Sequence, residues 1–346
     1  MDIPRILRSA IQQRMFPGAV VGTVDSKGVE RIYCCGKSQY IEGEPLTACS
    51  IFDAASLTKV LPTSVLALMA IDQQACSLTT PVHTILPRFT GPHSRGVTVQ
   101  HLLTHTVPYE IPLSKLKNRS AEEIFNTIVT TGFSRSPGRD YAYCNATSIV
   151  LGRVVEALWG QPLDVLGQTR LFSPLGMKDT TLHTPRSMGR VVPTEVDTWR
   201  GRVIRGEVHD ESAWVLQDLL TPGSAGLFTT APDILRFLQV LLHAPQQLFS
   251  EAMCDLIVQN YGEPLGKSIG LGFERNQPRY MGSYVSPGTV GKTGFTGCHF
   301  VADRTKGKGL VLLSNSTYPR RKYDARRIDR VRRAVTDSFF LKRFLL

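Results

Sequence analysis

Acidic residues are scarce in this chain: 29 Asp and Glu face 40 Lys and Arg over 346 residues, a formal net charge of +11. The excess is local, since ten Lys or Arg stand against three acids between Arg320 and Arg343. That tail reads as a terminal helix with Ile328, Val331, Val335 and Phe339 packed inward and its arginines solvated. No aromatics interleave with the cations, so no nucleic-acid partner is expected, and contact of the basic C-terminal helix with an anionic surface is the weaker reading. Cysteine is sparse too. Seven residues, with Cys34 and Cys35 adjacent, offer neither paired Cys-x-x-Cys spacing for zinc nor a disulfide framework. No His-Glu-x-x-His pair, Gly-x-Ser-x-Gly elbow or phosphate-binding glycine loop occurs. No unbroken apolar run reaches the length of a membrane span. The first residues are charged where a secretory leader is apolar, so a cytoplasmic location is expected, or a periplasmic or secreted one if the start is that of a mature form.

What is present is a nucleophile and a base one helical turn apart. Ser56-Leu57-Thr58-Lys59 precedes an apolar run through Met69 and Ile71, which predicts a helix beginning near the serine. Residues three apart share a helix face, so the Lys59 amine can reach the Ser56 hydroxyl, a poor nucleophile without a neighbouring base. Alone, so short a motif is weak. Two more stretches raise its weight: a Pro137-Gly138 turn leads into Tyr143-x-Asn145 before an apolar helix, and Lys292-Thr293-Gly294 enters a strand-like run at His299. Each has a bland alternative, namely a half-buried tyrosine, a helix-capping asparagine and an ordinary turn.

Ser-x-x-Lys, Tyr-x-Asn and Lys-Thr-Gly in this order resemble the serine β-lactamase and penicillin-binding-protein-like superfamily, with Tyr143-x-Asn145 in the form seen in class C β-lactamases, D,D-peptidases and related esterases. Further segments carry the likeness, among them Phe16-Pro17-Gly18, Leu102-Leu103-Thr104-His105-Thr106 and Ser224-Ala225-Gly226-Leu227-Phe228. Gly206-Glu207-Val208-His209-Asp210-Glu211 is similar to a subgroup within it. One departure is visible: Val107-Pro108 stands where that superfamily usually has Ser-Gly.

The resemblance implies a serine acyl hydrolase working through an acyl-enzyme on Ser56, with Lys59 and Tyr143 as a coupled proton-transfer pair. It implies that the backbone N–H groups of Ser56 and Phe295 form the oxyanion hole, and that Asn145 hydrogen-bonds the substrate. Lys292 and Thr293 would face a substrate carboxylate, and Gly294 would let the substrate backbone approach. The substrate is a small molecule: a β-lactam, peptide amide or ester. A cytosolic carboxylesterase and a non-catalytic penicillin-binding or sensor module stay open as alternatives. No metal or other cofactor is implied, and Glu207, His209, Asp210 and Glu211 are a weak metal candidate on spacing alone.

The expected fold is α/β of the α+β type. Strand-like runs at 19–24, 29–35, 298–302 and 310–314 build an antiparallel sheet from both termini, flanked by the terminal helices. Residues 1–50 and 265–346 form this sheet lobe, 51–264 a mainly helical lobe, and the active site lies in the cleft between them. Ser120-Ala121-Glu122-Glu123 and Thr230-Ala231-Pro232-Asp233 open helices, and 187–218 reads as irregular.

Overall fold

The structure, a computed structural model, describes residues 2–109, 111–131, 135–321 and 325–341. The chain opens with the helix Ile3–Gln12, started by the Asp2 carboxylate, which accepts from the Arg5 amide at 2.9 Å. Its apolar stripe of Ile3, Ile6, Leu7 and Ala10 is buried. A hairpin follows, Gly18–Val24 with Glu30–Gly36. Its turn is tied by Asp25, whose Oδ1 accepts from the amides of Lys27 (2.9 Å) and Val29 (3.0 Å).

These strands join others from the far end of the chain in one six-stranded antiparallel sheet. Its order is Glu30–Gly36, Gly18–Val24, Lys308–Ser314, His299–Asp303, Val290–Thr293, Glu274–Arg275. Alternation sorts the side chains into two layers. Ala19, Val21, Leu310 and Leu312 pack with the N- and C-terminal helices, while Val20, Val24, Val311 and Leu313 join the main core with Leu235 and Leu238 of the helix Ala231–His243. The sheet is therefore assembled from both termini, and its centre is dry on both faces. The short edge strand Glu274–Arg275 carries no alternating apolar pattern, so the sequence does not announce it.

The C-terminal helix Ala325–Leu341 buries Ile328, Val335 and Phe340, with Val331 and Phe339 half-buried. One expectation fails here. Arg332 is not solvated but 4% exposed, with Nη2 donating to the carbonyls of Gly294 (2.6 Å) and Cys298 (3.0 Å). A guanidinium can be buried where it finds such acceptors. Residues 322–324, 342 and 343 of the basic tail lie outside the described residues.

In the helical middle, Ser120 and Glu123 cap the helix Ala121–Thr130 reciprocally, and Thr230 caps Ala231–His243. Two expectations are revised. The helix at Ser56 is not continuous: a 3-10 turn Ala55–Lys59 runs into a break at Leu61 (φ −108°, ψ 106°) before the helix Val65–Asp72 begins. Pro62 has no N–H and pushes its predecessor out of helical dihedrals, which accounts for the break. Residues 187–218 are not structureless, since Glu195–Asp197 pairs with Arg202–Ile204 and a short helix Glu211–Leu216 follows. Among the described residues one stretch, Ala55–Asp72, is long and apolar enough to cross a membrane, yet 78% of it is buried inside the fold. It is the core segment beneath Ser56.

Candidate active site

The turn that carries Ser56 is strained and tightly held. Ala55 sits at φ +48°, uncommon for a residue with a side chain. The buried Asp53 carboxylate holds it there: Oδ1 accepts from the Ala55 amide at 2.7 Å, and Oδ2 from the His209 amide at 2.7 Å. Burial pushes the Asp53 carboxyl up to about 6, against the two amide hydrogen bonds. Thr58 braces the turn from within, donating to the Ala55 carbonyl at 2.6 Å.

Lys59 is 2% exposed and has three acceptors: Ser56 Oγ at 3.0 Å, Asn145 Oδ1 at 2.8 Å and the Ser224 carbonyl at 2.9 Å. They match the three N–H bonds of an ammonium one for one. Asn145 is the first residue of the helix Asn145–Trp159 rather than its cap, so its amide is free for this contact.

Tyr143 stands between two cations. Its ring centroid lies 5.2 Å from Lys59 Nζ and 4.3 Å from Lys292 Nζ. The residue is 43% exposed along the cleft; desolvation pushes the phenol up, but the ammonium groups of Lys292 and Lys59, with a hydrogen bond from Ser56, hold it below the usual tyrosine value. The loop with the departing proline supports this ring. His105 lies 4.9 Å from it, centroid to centroid, and the His105 carbonyl accepts from the Ala142 amide at 2.8 Å. Burial, Lys292 and Lys59 keep His105 neutral.

Lys292 departs from its expected role. It is 2% exposed, and its Nζ pairs with Glu274 Oε1 at 2.7 Å, so it faces a protein carboxylate instead of open cleft. Burial opposes its charge, yet Glu274 raises its pKa above the ordinary lysine value. Glu274 in turn is held low by Lys292 and Arg279 against its burial. Thr293 lines the cleft, with its Oγ1 3.4 Å from Glu274 and 3.3 Å from Arg279 Nη2. At Gly294 a Cβ would lie 2.4 Å from the Ala54 carbonyl. Glycine is thus demanded by the nucleophile turn, a reason separate from the approach of a substrate.

The amides of Ser56 and Phe295 find no backbone acceptor among the described residues, which leaves both N–H groups for a ligand. The turn carrying Phe295 is clamped from below by Arg332 and by Thr296, whose Oγ1 donates to the Asp53 carbonyl at 2.8 Å. Two connected chambers share Ser56, Tyr143, Asn145, Asp210 and Phe295. One, of about 430 Å³, extends past Tyr109 and Leu113 to His209 and Arg321. The other, of about 360 Å³, runs past Thr293 to Arg279 and Arg327.

Ser56, Tyr143, Asn145, Thr293, Gly294 and Phe295 line this cleft, and Lys59 and Lys292 lie behind it beside Tyr143. Glu274, Asp53 and His105 were missed as site residues, because a lone acid or histidine carries no spacing signal, and Asp210 was noted only as part of the weak metal candidate. The weak metal candidate dissolves. Glu207 pairs with Arg202, Glu211 with Arg321, and Asp210 accepts from Asn145, while the buried His209 has its Nε2 3.4 Å from Glu195. No group of three metal-ligating side chains occurs among the described residues.

A family model described as Beta-lactamase matches residues 5–333. An N-acetylmuramyl-L-alanine amidase of Bacillus subtilis (strain 168) is 27% identical over 347 residues, covering 88% of this chain and 78% of that protein. A Salmonella agona (strain SL483) protein whose name carries the words D-alanyl-D-alanine carboxypeptidase is 28% identical over 222 residues, 58% of this chain. The chain spans about half the length of that relative, 51%. In fold it is similar to the class C beta lactamase from Rhodobacter sphaeroides, with a TM-score of 0.74, 22% identity and coverage of 98% of this chain and 99% of the other.

Proposed function

The chain belongs to the Beta-lactamase family, a family of serine hydrolases, and on that premise we propose that it cleaves an acyl substrate through a covalent ester on Ser56. One observation carries the assignment of roles: Lys59 spends all three of its hydrogens on acceptors, one of them Ser56 Oγ. We take Lys59 as the ammonium whose three N–H bonds these acceptors fit, and so as a donor. The serine proton therefore goes to Tyr143, the neighbouring group whose acidity its surroundings increase.

Ser56 Oγ attacks the acyl carbon as its proton passes to the Tyr143 phenolate. The carbonyl oxygen takes up the electron pair and is held by the amides of Ser56 and Phe295. The tetrahedral intermediate collapses, the bond to the leaving group breaks, and Tyr143 returns its proton to that group. Water then gives a proton to Tyr143 and attacks the ester, and the proton returns to Ser56 Oγ as the acid leaves. Asn145 offers the substrate carbonyl its remaining amide hydrogen.

The pairing of Lys292 with Glu274 favours a second reading within this scheme. A cation already met by a carboxylate attracts a substrate carboxylate weakly, which supports simple esters and neutral amides beside β-lactams and peptides.

Intact-protein mass spectrometry after adding a penicillin-type lactam, and separately a p-nitrophenyl ester, tests it. The expected result is an acyl adduct mapping to Ser56 that is absent from Ser56→Ala. Its decay rate sorts lactamase from peptidase, and an adduct from the ester alone selects the second reading. Turnover by Ser56→Ala at the wild-type rate sinks the mechanism.

A further inference from the structure

The segment Gly206–Glu211 is used by none of the steps above, yet His209, Asp210 and Glu211 line the first chamber and Asp210 lines both. Asp210 is its polar tip. One oxygen of this carboxylate is committed locally, since Oδ1 accepts from the Ser212 hydroxyl at 2.6 Å and from the Ala213 amide at 2.9 Å, starting the helix Glu211–Leu216. The other oxygen points away from that helix and accepts from Asn145 Nδ2 at 2.9 Å. The backbone behind it is immobilised. The His209 amide donates to Asp53, and Arg200 donates to the carbonyls of Val208 (2.8 Å) and His209 (2.9 Å).

A continuous chain of hydrogen bonds results. Lys59 donates to Ser56 Oγ and to Asn145 Oδ1, and Asn145 donates onward to Asp210. We propose that Asp210 is a positioning residue which, through Asn145, fixes Lys59 against Ser56 and aims the second Asn145 N–H at the substrate carbonyl. The inference rests on the serine-hydrolase reading of the site.

An amide side chain turns about a broad terminal torsion. With a charge at only one end, Asn145 could keep its oxygen on Lys59 while swinging its nitrogen. A carboxylate at the other end removes that freedom, because donor and acceptor are each bound to a group of opposite polarity. Lys59 then has one geometry in which all three of its hydrogens are used, and Ser56 lies on it. The Asp53 carboxylate extends the same logic to the backbone, since it binds the Ala55 amide and the His209 amide together. The nucleophile turn and the Asp210 segment are thus held in register by one group.

The test compares Asp210→Ser and Asp210→Gly with Asp210→Asn, in wild-type and Asn145→Ala backgrounds. Serine and glycine both serve at a helix start but cannot reach Asn145; asparagine has one acceptor oxygen, so if it keeps the helix start its NH2 group faces the Asn145 NH2 donor to donor. A fluorophosphonate probe is applied first to the wild-type protein. If Ser56 is not labelled, the serine-hydrolase reading fails, whatever Asp210 does. With Ser56 labelled, the acylation rate of a p-nitrophenyl ester is measured by stopped flow. Asp210→Ser and Asp210→Gly should acylate about 30- to 100-fold more slowly, the loss expected of a catalytic group misplaced by roughly 1 Å. KM should stay within about threefold, and Asp210→Asn should lose rate as the truncations do, because it starts the helix but offers Asn145 no acceptor. In the Asn145→Ala background the Asp210 substitutions should add nothing, because the path through Asn145 is already cut. The inference is overturned if both truncations acylate at the wild-type rate. Losses that multiply with Asn145→Ala, or slow turnover explained by a lowered melting temperature alone, overturn it equally.

Discussion

Lys59 and Lys292 are both 2% exposed and both lie within about 5 Å of the Tyr143 ring, but their charges are met in opposite ways. Lys59 is surrounded by neutral acceptors: a hydroxyl, an amide and a backbone carbonyl. Lys292 is met by the carboxylate of Glu274, which also binds Arg279. A cation solvated by dipoles keeps its field. A cation paired with an anion becomes part of a nearly neutral unit, and its influence on Tyr143 is partly offset, since Glu274 raises the phenol where Lys292 lowers it. The contrast assigns the first lysine to the chemistry and the second to the architecture and tuning of the base.

Replacing each lysine is the strongest way to break this contrast. Lys59→Met should slow acylation of Ser56 by about 10³-fold, within the range expected for loss of a fixed charge and hydrogen-bond donor at the reacting group. Lys292→Met should cost about 3 kcal/mol of stability, because Glu274 keeps Arg279 but loses its buried partner. Urea denaturation and single-turnover acylation on both variants separate the two outcomes. If Lys292→Met loses as much rate as Lys59→Met at unchanged stability, the division of labour is wrong.

Acid adds a third cation to the pair. His105 is held neutral by burial and by both lysines, and His209 and His299 are neutral as well, His209 lowered to about 4 by burial and by Arg321. A histidine with a depressed pKa contributes stability that is complete above its ordinary value near 6.5 and is lost as the pH falls. Asp53 runs the other way. Raised from 3.8 to about 6, it stabilises the protonated fold and so gives stability back on acidification. The contributions of His209 and Asp53, each of about 3 kcal/mol, therefore nearly cancel, leaving His105 and His299 to set the slope. The urea midpoint should fall between pH 7 and pH 4.5, and less so in Lys59→Met, where His105 is freer to protonate. A midpoint that rises on acidification contradicts this balance.

The smallest effect tests the tuning. Tyr143 is active as phenolate, so the acid limb of kcat/KM follows its pKa. Glu274→Gln removes a raising influence and should move that limb toward lower pH, while Lys292→Met should move it toward higher pH, each by about one unit. Shifts in the same direction would show that the pair does not act on Tyr143 through its charges.

Much of this was legible in the residues themselves. The short apolar runs at 19–24 and 310–314 announced strands, and Ser120 with Glu123 announced a helix start, because these signals are local to a few residues. The three-residue spacing of Ser56 and Lys59 likewise carried the nucleophile, and the order of the three motifs led to its partners. Arg332 and Glu274 could not be read in this way. Each is one charge among many in the sequence, and whether it is solvated or buried depends on which carbonyls or ammonium groups the fold brings within hydrogen-bond reach. The same holds for Asp210, 65 residues from Asn145 in the chain and 2.9 Å from it in space. Local pattern determined the elements and the nucleophile; only tertiary contact decided which charges are compensated, because the energy of a buried charge is set by its partners and not by its own identity.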